Sequence, residues 1–126
     1  MHDSAELTRR IEIIERGYEY LLAYAAQGRQ DDSGSEARKT LSDMHVALGG
    51  LAALLEASLV ATSPSAAREA AGFIEAISED ARKARGALGL VLSRPSISSL
   101  LVDNLNASIH LRALLTDVFL AEQAMK

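Results

Sequence analysis

At 126 residues the chain has the length of one ordinary domain, enough for a single core and too short for two. Hydrophobic residues at 48% and charged residues at 24% exclude a disordered chain, and zero cysteines exclude disulfides, thiol nucleophiles and cysteine metal sites. The net charge is -4 and no dense run of Lys and Arg occurs, so no nucleic-acid partner is expected.

Ala and Leu are abundant and aromatic residues make up only 4%, a mixture that favours helix over sheet. The polar start is not followed by a basic-then-apolar leader, and a cytoplasmic location is expected. The stretch from Val46 to Leu55 is too short for a membrane span and holds Gly49-Gly50, so a buried helix and no membrane partner are expected. Breaks at Gly28–Ser35, Thr62–Ser65 and Ser93–Ser96 divide the chain into four segments of similar length. The expected architecture is all-α, an antiparallel four-helix bundle forming one domain over residues 1–126.

The first segment, Ser4 to Gln27, opens on Asp3 with Glu6 and closes at Gly28. Leu7, Ile11, Ile14, Tyr18, Leu21 and Ala25 recur at spacings of four and three and form one stripe. A second apolar line, Ile13, Gly17, Tyr20 and Tyr24, lies beside it. The second segment, Ser35 to Ala61, follows a capping box of Ser33 and Glu36. Its core stripe is Leu41, Met44, Leu48, Leu51, Leu55 and Leu59, and its back carries Val46, Gly50, Ala53, Ala57 and Ala61. Adjacent glycines inside a helix cost about 1 kcal/mol each, so either a close contact compensates or the helix kinks there.

The third segment, Pro64 to Leu92, has a heptad seam of Ala70, Ile74, Ile77, Ala81, Ala84, Leu88 and Val91. Glu75, Glu79, Arg82, Lys83 and Arg85 fall outside it and form a solvated face. The fourth segment, Ser96 to Met125, starts after Pro95 and is apolar over most of its circumference, which predicts a central position. Its polar strip is Asp103, Asn106, His110 and Asp117.

In a lone bundle each helix buries one stripe and keeps the rest wet. The first, second and fourth segments carry more apolar surface than that, and large exposed apolar patches mark interfaces. A homo-oligomer, a dimer by preference, is therefore expected through Ile13, Gly17, Tyr20 and Tyr24, through Val46, Gly50, Ala53 and Ala57, or through both sets.

No paired Glu-x-x-His, His-Glu-x-x-His, phosphate loop, Gly-x-Ser-x-Gly or zinc pattern is present, so no metal, cofactor or catalytic residue is expected. Asn104, Ser108 and Arg112, with Thr116, project towards the apolar side of the last segment. They form a candidate ligand pocket in which Arg112 would bind a carboxylate or phosphate; otherwise Arg112 pairs with an acid of another helix or subunit.

His45-Val46-Ala47-Leu48-Gly49 resembles the core of histidine phosphotransfer domains, where a mid-helix histidine precedes glycine by one turn. The resemblance implies a helical bundle passing phosphoryl groups between receiver-domain aspartates, with His45 as the carrier. It is confined to residues 45–49 and departs at Leu48, where that family usually has lysine. The sequence thus predicts a non-catalytic helical interaction protein: an adaptor, assembly factor or small chaperone. The alternative is a signalling module using His45 or the Arg112 pocket.

Overall fold

The computed structural model describes residues 2–126, with side chains from residue 5 onward; the charged start at Asp3 and the His2 side chain lie outside the described residues. Among the described residues every regular element is helical: α1 His2–Ala25, α2 Ala37–Leu48, α3 Leu51–Thr62, α4 Pro64–Glu69, α5 Ala71–Leu92, α6 Ser99–Ile109 and α7 Leu111–Ala124. Of the four long helices expected, only the first is continuous.

The second divides at the glycine pair. Gly49 ends α2 in an extended conformation, and Gly50 takes a left-handed φ of 73°, which a residue without Cβ adopts at no steric cost. The axes of α2 and α3 diverge by 43°. No single described helix is long and apolar enough to cross a membrane, and the bent α2–α3 pair buries Leu41, Met44, Leu48, Leu51, Leu55 and Leu59 within the protein.

The third expected helix divides at Ala70. Pro64 occupies the first turn of α4, and the Ser63 hydroxyl caps it by accepting from the Ala66 amide. The fourth starts later than expected. Pro95 lies outside it, and Ser98 is the cap, accepting from the Leu101 amide at 3.0 Å. It divides again at His110, whose φ of 47° is left-handed, a rare conformation for a residue with a side chain. The expected capping box at Ser33 does not form: Glu36 holds the cap position of α2 without a side-chain bond, and Ser35 accepts from the Ala37 amide.

α1 and α5 each pack against α2, α3, α6 and α7 and have at most marginal contact with one another. The core comprises the expected stripes almost entire, including Leu7, Ile11, Ile14 and Leu21 of α1 and Ile74, Ile77, Ala81, Ala84, Leu88 and Val91 of α5. The last segment is not surrounded as its composition suggested: Val102, Leu105, Leu114 and Val118 are buried, whereas Leu100 is 69% and Leu120 61% exposed.

Polar side chains lock the two ends. At one end Tyr24 is fully buried and donates its hydroxyl to the Ile97 carbonyl at 2.6 Å, and burial pushes its pKa up. Ser99 donates to the Tyr24 carbonyl at 2.7 Å and accepts from the Arg29 amide at 2.8 Å. The Asp32 carboxylate accepts from the Ile97 amide at 2.9 Å and from Arg38, and these bonds, the Ile97 amide first, hold its pKa down. At the other end of α2, the Arg10 guanidinium donates to the carbonyls of Val46, Ala47 and Gly49, satisfying groups that a helix C-terminus leaves without partners.

Candidate functional site

The outer side of α2–α3 carries one candidate surface. Val46, Gly50, Ala53, Ala57 and Val60 follow each other at spacings of four, three, four and three, and all are exposed. Val46 is 64% and Val60 46% open to solvent, and no charge interrupts the line. Its small residues would let another backbone approach closely, and its valines supply apolar area.

The second line of α1 divides between core and surface. Gly17 is buried against α2: a Cβ built there would stand 2.3 Å from Met44 Sδ, so the missing side chain is what lets the two helices meet. Tyr24 belongs to the core just described. These two residues leave the expected interface set because α1 is flanked on two sides and buries two lines. Ile13 and Tyr20 stay half-exposed, and the Tyr20 hydroxyl accepts from the Glu36 amide at 3.1 Å, tying α1 to the start of α2.

The expected ligand pocket is not assembled as a unit. Asn104, Ser108, Arg112 and Thr116 are all exposed, so no buried charge needs neutralising, and among the described residues Arg112 has no ion-pair partner. The turn at His110 changes the direction of the chain between Ser108 and Arg112. Arg112 and Thr116 border a hollow of about 490 Å³ together with Tyr18, Asn106, His110 and Asp117, whereas Asn104 and Ser108 do not.

That hollow is the middle of a longer seam between α1 and α6–α7. A second hollow of about 370 Å³ lies among Tyr18, Leu22, Ala25, Asp103, Asn106 and Ala107. A third of about 270 Å³ lies among Glu15, Tyr18, Glu19, Arg112, Leu115 and Phe119. Tyr18 borders all three, so the half-exposed tyrosine expected in the core sits instead at the middle of a surface groove. Beneath the junction of two hollows, Asn106 donates to the Leu21 carbonyl at 3.2 Å, while its buried Oδ1 has no donor among the described residues. The polar strip named Asp103, Asn106, His110 and Asp117 correctly but gave no sign that α1 forms the opposite bank.

His45 is half-buried in the last turn of α2, with its Nε2 3.6 Å from where a Cβ on Gly89 of α5 would stand. Its carbonyl accepts from Arg85 at 3.3 Å. Two features implied by the phosphotransfer resemblance are missing: the histidine is not mid-helix, because α2 ends at Leu48, and Gly49 lies beyond the helix rather than one turn along it. Among the described residues no three His, Asp or Glu side chains are grouped to hold a metal ion.

Comparison of the chain with protein-family models, with curated proteins and with solved structures finds no match.

Proposed function

We propose that the protein is a non-catalytic interaction module whose helices, seven among the described residues, group as an antiparallel four-helix bundle, and that it acts as a homodimer through the outer face of α2–α3. The four arms are α1, α2–α3, α4–α5 and α6–α7. The placement of α1 and α5 against both other arms, with little contact between them, is the arrangement of diagonal partners in such a bundle. An adaptor, assembly factor or small chaperone in the cytoplasm is the role this reading favours.

One observation carries the dimer: an uncharged line from Val46 to Val60 that is open to water while the opposite stripe of the same helices is buried. Burying a valine contributes about 1.5 kcal/mol or more, and alanines and glycine along the line allow close approach. A second copy presents the same line, so a two-fold contact is self-complementary.

Light scattering on purified protein at micromolar concentration tests this. The wild type is expected at twice the 13.5 kDa chain mass, and Ala57→Glu with Val60→Glu is expected at the single-chain mass with unchanged helix content by circular dichroism. A wild type that stays at the single-chain mass across that range ends the homodimer reading.

A further inference from the structure

We propose that the seam between α1 and α6–α7 is a docking groove for a basic amphipathic helix of a partner protein. This is a surface separate from the α2–α3 face, and it does not depend on dimerisation.

The groove has the length of a helix seat. Its three hollows follow the chain in opposite directions on the two banks, from Ala25 towards Glu15 on α1 and from Asp103 towards Phe119 on α6–α7. Glu15 to Ala26 covers about 17 Å at 1.5 Å per residue, three helical turns. Successive hollows suit apolar anchors at i, i+4 and i+7 of a docked helix. No strand exists among the described residues to pair with an extended peptide, whereas a helix satisfies its own backbone.

The walls supply apolar contact. Leu22 is 47% and Phe119 38% exposed, and Tyr18 between them is half-exposed. Leu22 and Phe119 would each be ordinary as an isolated surface residue, but here both face a single groove.

Charge decides the partner's sign. The groove is bordered by Glu15, Glu19, Asp103 and Asp117, with Arg112 as its one Lys or Arg. None of the four carboxylates is ion-paired among the described residues, so none is already neutralised by a neighbouring Lys or Arg. Four acids against one arginine repel phosphates and acidic peptides and attract Lys or Arg beside apolar anchors.

The probe is a fluorescein-labelled peptide of about 14 Leu and Lys residues in an amphipathic helical pattern, long enough for the seam at 1.5 Å per residue, with a Leu/Glu peptide of the same pattern as control. Fluorescence anisotropy is measured with the full chain. The Lys peptide is expected to bind saturably and the Glu peptide not to bind. Glu15→Gln/Glu19→Gln/Asp103→Asn is expected to weaken binding about tenfold, three rim charges each contributing modestly. Leu22→Ser is also expected to weaken it. Glu69→Gln/Glu75→Gln/Asp80→Asn, which removes equal charge from α4–α5, is expected to leave it within about twofold. Equal loss in both triple variants, equal binding of the two peptides, or no binding of either overturns the proposal. So does self-association that the seam variant abolishes, since a second copy would then be the occupant.

Discussion

Gly17 and Gly86 are both helical glycines, yet opposite outcomes are expected on adding a methyl group. At Gly17 the new Cβ meets Met44 Sδ at 2.3 Å and Cγ at 2.4 Å, and Met44 is fully buried, so its side chain must shift within the core to make room. Overpacking of that kind costs about 1–3 kcal/mol, only partly offset by the ~1 kcal/mol that Ala gains over Gly in a helix. At Gly86 of α5 nothing stands within 4 Å of the added atom, so the helix preference acts alone. Gly17→Ala is expected to lower the urea midpoint, and Gly86→Ala to raise it by the equivalent of about 0.5–1 kcal/mol. A Gly17→Ala protein as stable as the wild type would show that α1 and α2 do not need the close approach. In the sequence Gly17 stood in line with Ile13, Tyr20 and Tyr24 and was read with them as outward. Spacing shows that residues share a line, but not whether a second neighbour covers that line.

Among the elements, the start of α1 and the end of α2 are held by one charged cluster. Arg10 reaches the α2 carbonyls while also donating to Glu6 at 2.9 Å, and Arg9 donates to Glu6 at 2.7 Å. These hydrogen bonds, from Arg9 first and Arg10 second, hold the Glu6 carboxyl down from 4.5 to about 2. A carboxyl whose pKa is lower folded than unfolded contributes stability that is complete above the unfolded value and lost as pH falls through the folded one. The Glu6 contribution is therefore present above about pH 4.5 and lost towards about pH 2, and Asp32, shifted the same way by the Ile97 amide, loses its own at low pH. Urea midpoints across that range are expected to fall less for Glu6→Gln than for the wild type; parallel falls would show that the cluster does not couple to folding. Nothing in the sequence pointed to this tie, because Arg10 and Gly49 are far apart in the chain and an arginine's reach is not periodic. The α5 seam was legible from end to end, since each position from Ile74 to Val91 obeys one repeat. The breaks at Ala70 and His110 were not, since neither carries glycine: α4 buries no residue that could mark the first, and at the second the buried stripe changes phase, from Val102, Leu105 and Ile109 to Leu111, Leu114 and Val118, which in the sequence read as one helix apolar over most of its circumference.

For the molecule as a whole, the outward position of Val46, Gly50, Ala53 and Ala57 was legible because it is simply the reverse of a strong leucine stripe. The groove at Tyr18 was not, because its two banks come from opposite ends of the chain and meet only when α1 packs beside α6–α7. The two surfaces differ in kind, and salt separates them. Raising salt from about 0.1 M to about 1 M shortens the screening length from about 10 Å to about 3 Å, which removes most attraction between exposed charges. It does not weaken burial of apolar surface. Dimer dissociation followed by sedimentation is therefore expected to be unchanged or slightly tighter at high salt, because the Val46–Val60 line has no charge to screen. Binding of the Lys peptide to the seam is expected to fall steeply over the same range, because Glu15, Glu19, Asp103 and Asp117 act on it through water. A dimer that dissociates as salt rises would point to a face of mixed charge, such as that of Glu75, Glu79, Arg82 and Lys83 on α5, rather than to α2–α3. Peptide binding indifferent to salt would mean that the apolar walls of the groove act alone.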